Sequence, residues 1–242
     1  MSAATAPVML AAGVGRIPTH GDRANSFLVT DEDGLTLVDA GWKSAPEVIR
    51  QAVEGQGRRL TDVRRIIITH AHPDHVRGLA ELVARTGAEV LVHHDDAAWL
   101  GAGRVAPDGR SGAIGRAIDH LPLLHWRPVT ATRTISDGVR VGSLRVLHTP
   151  GHSPGHIALV HEPSRTLLVG DAIFNRSGLA TGPDALAADP ATRDASYRRL
   201  PRDVTAVGFA HGAPLAGDEV ARYAAWLDGQ RRVQPNDHHR LP

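Results

Sequence analysis

The chain runs through Arg65-Ile66-Ile67-Ile68-Thr69 and then directly into His70-Ala71-His72-Pro73-Asp74-His75. Three consecutive β-branched apolar residues predict a strand covered on both faces, because an exposed face would show alternation. That strand ends in three histidines and an aspartate within six residues. A polar loop capping the next helix would account for one or two of these groups, not for all four. Imidazole nitrogens and carboxylate oxygens are the donors that zinc and neighbouring borderline metals accept. One tetrahedral ion cannot easily use four groups from so short a loop, so the spacing predicts more than one ion.

Composition narrows the alternatives. There is no cysteine, which excludes disulfides, thiolate metal sites and a cysteine nucleophile. Any metal must therefore rest on His, Asp or Glu. A formal net charge of +1 supplies no field for nucleic acid or an anionic membrane. Aromatic residues at 4% leave little for a base-stacking surface. Met1 to Gly15 lacks a basic n-region, and Val8-Met9-Leu10-Ala11-Ala12 is too short for a signal-peptide core. No run approaches the roughly 20 apolar residues of a membrane span. These features predict a cytoplasmic protein acting on a small molecule, with no nucleic-acid or membrane partner.

Along the chain, Ser26–Thr30 and Leu35–Asp39 flank the turn signal Asp31-Glu32-Asp33-Gly34 and predict a hairpin. A helix is expected over 44–54, with Ser44 as N-cap and Pro46 in its first turn. Val76 to Thr86 predicts one helix ended by Gly87, followed by a strand at Val90–Val92. Further strands are expected at 139–141, 144–147, 157–160, 166–169 and 206–209, and helices at 189–200 and 218–227. Residues 100–132, punctuated by Gly and Pro, are expected to form a lid-like insert. Residues 231–242, with His238 and His239, are expected to be a flexible polar tail. No linker or internal repeat divides residues 1–242, which are expected to form a single domain.

The opening pattern recurs. His152 follows the strand at Leu144–Leu147, Asp171 follows Thr166–Val169, His211 follows Val207–Ala210, and Asp39 closes the hairpin. Loops beyond the carboxyl ends of strands gather chemistry at one edge of a sheet. Taken together, His70-Ala-His72-Pro-Asp74-His75, Thr149-Pro150-Gly151-His152-Ser153-Pro154-Gly155-His156, Gly170-Asp171 and Ala210-His211-Gly212 resemble the metallo-β-lactamase superfamily in order and spacing. Val38-Asp39-Ala40-Gly41 matches its first motif. The resemblance runs from about residue 20 to 227, with 100–132 covered least.

The resemblance implies an α/β chain of the α+β kind, a four-layer αββα sandwich with two divalent ions at one sheet edge. Zinc is the expected metal, although iron and manganese suit the same donors. His70, His72 and His152 would hold the first ion, Asp74, His75 and His211 the second, and Asp171 would bridge them. Asp39 would orient a ligand imidazole. A water bound to one zinc ion can have its pKa lowered to about 7, which implies hydroxide attack on a carbonyl ester, lactone or thioester. Asp74 would also be the catalytic residue that orients the hydroxide or moves a proton. No GxSxG elbow offers a covalent nucleophile instead.

The motif around His152 is nearest to the glyoxalase II-like and lactonase branches. A mononuclear iron persulfide dioxygenase of the same fold, a β-lactam hydrolase and a non-catalytic protein braced by metal are the competing readings. The segment after Asp171 lacks the Gly-Arg-Thr-Asp pattern expected of the dioxygenase. Leu121 to Trp126 predict an apolar acyl portion in the substrate. His93-His94-Asp95-Asp96 reads as a strand terminus and helix N-cap. Ser153 and His156 are expected to brace the loop that carries His152, while His20 and Asn25 are weaker candidates for the cleft.

Overall fold

A computed structural model describes residues 6–233. Seven strands cross the first sheet in chain order: β1 (Val8–Ala11), β2 (Val14–Asp22), β3 (Asn25–Asp31), β4 (Gly34–Val38), β5 (Val63–Ile68), β6 (Glu89–His93) and β7 (Arg133–Ile135). Tight turns make β1 to β4 antiparallel. From β4 to β7 the strands are parallel, since each connection there returns through helix. These connections carry α1 (Ala45–Glu54), α2 (Pro73–Val76) with α3 (Leu79–Thr86), and α4 (His94–Ala102) with α5 (Ala113–Asp119).

The second sheet takes β8 (Arg140–Val141), β9 (Leu144–His148), β10 (Ile157–His161) and β11 (Thr166–Leu168). A small hairpin, β12 (Phe174–Asn175) and β13 (Leu179–Ala180), and helix α6 (Pro190–Ser196) intervene before β14 (Ala206–Gly208) and β15 (Leu215–Ala216) complete it. Helix α7 (Val220–Val233) follows. None of the described helices is long and apolar enough to cross a membrane.

Burial explains the three isoleucines. Side chains alternate across a strand, so Ile66 and Ile68 pack outward with Ile49 and Val53 of α1 and Leu79 and Leu82 of α3. Ile67 points the other way, joining Phe27, Val29 and Leu91 against Val146, Ile157, Leu159 and Leu168 of the second sheet. The outer face of that sheet packs Val160, Leu167 and Val207 on Tyr197, Tyr223 and Leu227. Three apolar layers between four layers of structure make the expected αββα sandwich.

The hairpin, the 44–54 helix and most strands lie where the sequence places them. The single helix expected over Val76–Thr86 does not form: α2 stops at Val76 and α3 starts at Leu79. A Cβ at Gly78 would stand 2.4 Å from the Ala40 carbonyl oxygen. Gly78 N–H instead donates to Gly41 O at 3.0 Å, tying the helix break to the end of β4. Strands β1 and β2 were not expected, and the reason is compositional, since Gly15, Pro18 and Gly21 interrupt the alternation of β2. Helix α7 continues through Val233, so the first three residues of the expected tail are helical, while residues 234–242 lie outside the described residues.

The 100–132 insert is more ordered than its Gly and Pro content implies. Within it, Arg110 pairs with Asp119 at 2.8 Å and also donates to Leu186 O. Trp126 is buried and its Nε1 donates to Leu100 O at 3.2 Å.

Candidate metal centre

Each expected ligand sits just beyond the carboxyl end of a strand. His70 and His72 follow β5, Asp74 and His75 occupy the first turn of α2, and His152 lies between β9 and β10. Asp171 follows β11 and His211 follows β14. The fold gathers them into two groups, His70 with His72 and His152, and Asp74 with His75, Asp171 and His211. Within each group the ligand atoms lie within 4.8 Å of one another.

Asp171 stands between the two groups. Its Oδ1 is 3.3 Å from His75 Nε2, and its Oδ2 is 3.4 Å from His152 Nε2 and 3.2 Å from His211 Nε2. Asp74 Oδ2 also lies 3.2 Å from His211 Nε2. The donors fit divalent ions on an independent ground. His70 Nε2, His75 Nε2 and Asp171 Oδ1 are buried without a hydrogen-bond partner in the protein, and His72 Nδ1 and His152 Nε2 face each other at 2.8 Å. Buried polar atoms are paired in the great majority of cases, so this concentration of unpaired donors marks a place for a cation.

The surrounding groups set which ring nitrogen faces inward. His75 Nδ1–H donates to Asp39 Oδ2 at 2.8 Å, leaving Nε2 toward Asp171. His211 Nδ1–H donates to the Arg23 carbonyl. His70 Nδ1 lies 3.1 Å from Thr69 Oγ1. Asp39 also accepts from Thr69 N–H at 2.8 Å, and it does so from a left-handed backbone with φ of 62°. That conformation costs of order 1–3 kcal/mol for a non-glycine residue, and its carboxylate bonds hold it there. Asparagine tolerates the same backbone, so Asp39→Asn tests the charge alone. We expect metal affinity to fall about 10–100-fold, measured by competition with a chromophoric chelator. A change below about threefold would exclude the orienting role.

Electrostatics divides the two groups. Burial pushes His70 and His72 well below the ordinary histidine range, with neighbouring imidazoles and, for His72, the Arg110 guanidinium acting in the same sense. Burial takes His152 down to about 3. These three are neutral at physiological pH, the state in which an imidazole can bind a metal. In the second group burial also opposes charge, but Asp39, Asp171 and Asp74 outweigh it and carry His75 well above its usual value. Asp171 and Asp74 likewise carry His211 up to about 10. Burial would raise the Asp171 carboxyl, yet His211 and His75 hold it well below the carboxylate range. Protons thus sit where a cation would neutralise the carboxylates.

Two buried side chains fix the loops. His156 Nε2 accepts from Asp171 N–H at 2.9 Å, so its Nδ1 bears the proton and donates toward Thr149 O at 3.1 Å. Gly170, with φ of +55°, lets that imidazole approach, since a Cβ there would lie 2.6 Å from His156 Nε2. Asp96 is the residue the sequence reading missed. Although it follows two histidines and another aspartate, it is fully buried, and burial raises its carboxyl. It accepts from Ala71 N–H at 2.8 Å, Ser153 Oγ–H at 2.7 Å and Gly155 N–H at 2.6 Å. Asp96 therefore joins the His70 and His152 loops. Asp96→Ala leaves two buried N–H groups without an acceptor, and we expect a loss of about 2–4 kcal/mol, read as a lower urea midpoint at unchanged slope.

His93 caps α4 by accepting from Asp95 N–H, as expected. His93, His94 and Asp95 also lie close together, and the His93 ring stacks on His148 at 3.9 Å and 12°. Asn25 braces the His211 loop, donating to Phe209 O and Gly212 O at 2.9 Å each. His20 does line the cleft, beside Arg23, Trp42 and Arg176. Nothing in the sequence patterns singles out those last three. In the insert, Leu121 and Leu123 are 46% and 61% exposed, and neither lines this cleft.

An αββα sandwich carrying two His/Asp clusters at one sheet edge is a scaffold for divalent metal ions. The family model described as the metallo-β-lactamase superfamily matches residues 20–211, and the chain belongs to that superfamily. It is 34% identical over 160 residues to YobT of Bacillus subtilis (strain 168), an uncharacterized protein, covering 64% of each chain. It is 32% identical over 152 residues to a hydroxyacylglutathione hydrolase of Rhodopseudomonas palustris (strain BisB18), covering 62% of this chain and 48% of that one. The match therefore spans between about half and two thirds of these relatives. Among solved structures, a metallo-β-lactamase of Cronobacter sakazakii with a HARLDQ motif superposes with a TM-score of 0.69 at 25% identity, covering 95% of this chain and 94% of that one.

Proposed function

We propose that this protein is a binuclear metal-dependent hydrolase, with zinc as its metal, that cleaves a carbonyl ester, lactone or thioester of a small molecule. The observation that carries the reading is the position of Asp171, whose Oδ1 lies 3.3 Å from His75 Nε2 and whose Oδ2 lies 3.4 Å from His152 Nε2 and 3.2 Å from His211 Nε2, so that one carboxylate reaches both clusters. His70, His72 and His152 would hold one ion, Asp74, His75 and His211 the other, and Asp171 both. Bound divalent ions supply an ionised water at neutral pH and polarise the carbonyl.

The chain's own groups do the rest. Asp39 and the Arg23 carbonyl fix His75 and His211 with Nε2 inward. Burial would raise the Asp74 carboxyl, but His75 and His211 lower it below its ordinary value. Asp74 is therefore ionised at neutral pH and acts as an acceptor. Partly open to the cleft, it can take the proton left on the attacking oxygen and pass it to the leaving group. Thioesters lead the list because a relative bears the name hydroxyacylglutathione hydrolase. A panel of thioesters, lactones and aryl esters, run with and without a chelator, tests the proposal. Chelator-sensitive turnover is expected, and turnover indifferent to chelation and to Asp74→Ala would overturn it.

A further inference from the structure

The cleft that opens onto Asp74 and His211 has a volume of about 380 Å³ and carries two guanidinium groups, Arg23 and Arg176, in its walls. Both are exposed. Some arginines of this chain pair with carboxylates, as Arg65 does with Asp33 and Arg193 with Asp184. Among the described residues neither Arg23 nor Arg176 has a carboxylate within ion-pair distance. Asp74, the carboxylate of the same cleft, is turned toward His211.

Their positions are set by the metal centre itself. The Arg23 carbonyl accepts the proton of His211 Nδ1. On the other side, Asn175 N–H donates to His211 O at 2.9 Å, and Asn175 forms a bridge with Gly212, which delivers Arg176 next in the chain. The two cations are therefore tethered through backbone to one ligand histidine and flank the approach to it.

We propose that Arg23 and Arg176 form a carboxylate-binding rim, so that the favoured substrate is an acyl compound carrying a carboxylate a few bonds from the scissile carbonyl. This rests on the hydrolase reading above and names its substrate class. A guanidinium presents a planar fork of donors that matches a carboxylate. Two such forks beside a small cleft orient the anion and leave the carbonyl directed at the metal clusters. Trp42, with Arg77 stacked 5.8 Å from its ring centre, supplies an apolar wall for the carbons between.

The test uses the metal-loaded full chain and two thioesters of one neutral thiol, succinyl and butyryl, which differ by a terminal carboxylate. The wild type is expected to favour succinyl in kcat/KM by about tenfold or more, mainly through KM. Arg23→Ala and Arg176→Ala should each reduce that ratio several-fold, the double variant should bring it near one, and Arg176→Lys should restore part. Equal kcat/KM for the two thioesters in the wild type, or a ratio unmoved by the substitutions, would overturn the rim.

Calorimetric titration with succinate separates this inference from the hydrolase reading. If neither thioester is turned over, the binding measurement still decides the rim. At least tenfold weaker succinate binding by the double variant supports it, and unchanged binding refutes it.

Discussion

Asp171→Asn is expected to reduce bound metal from two ions per chain to at most one and to lower kcat/KM by more than about 100-fold. That factor is what removing a mere supporting partner of a metal ligand can cost, and Asp171 is placed closer than a supporting partner. Among the described residues it is the one carboxylate whose oxygens approach candidate ligand atoms of both clusters. The substitution keeps the volume and removes the charge. His75 and His211 then lose one of the anions that raise them, while Asp39 beside His75 and Asp74 beside both remain. Elemental analysis alongside turnover reads both effects, and a circular dichroism spectrum controls for folding. Two ions retained with activity within threefold would deny Asp171 the bridging position.

Chelation is expected to lower the thermal midpoint by about 10 °C. A ligand at a thousand times its dissociation constant stabilises the native state by about 4 kcal/mol. For a chain of this size each kcal/mol moves the midpoint by roughly 2–4 °C. The structural basis is the set of buried nitrogens and the Asp171 oxygen that lack partners within the protein. The pH dependence has a definite sign. Metal must displace the protons that carboxylates hold on His75 and His211, so affinity falls as pH falls, and the chelator-induced shift should be larger at pH 8 than at pH 6. Differential scanning fluorimetry at the two pH values measures it. A shift under about 2 °C at both would mean the clusters hold no tightly bound ion.

Much of this architecture was legible in the residues because two strong signals coincide. Ile66-Ile67-Ile68 demanded cover on both faces, and the structure supplies it with helices on one side and the second sheet on the other. The candidate ligand residues stood out because each follows a predicted strand, and parallel strands bring such loops to one edge. Features set by tertiary contact were not readable. Asp96 looks like one more acid at a helix start, and only the approach of the Ser153 loop makes it a buried brace. Arg23 and Arg176 are far apart in sequence and come to line one cleft because both are tied through backbone to His211. The break at Gly78 depends on the Ala40 carbonyl, which no helical periodicity can reveal. The apolar residues near Leu121 were expected to shape the substrate site, yet Leu121 and Leu123 face solvent and the cleft walls come from elsewhere.

The central claim is that two ions act together at these clusters. It is tested most directly by adding zinc in measured equivalents to metal-free protein and following thioester hydrolysis against bound metal. The two-ion account predicts that activity rises until two ions are bound per chain and then levels. A plateau at one ion, or a single bound iron accompanied by oxygen consumption and sulfite release from a persulfide, would contradict it.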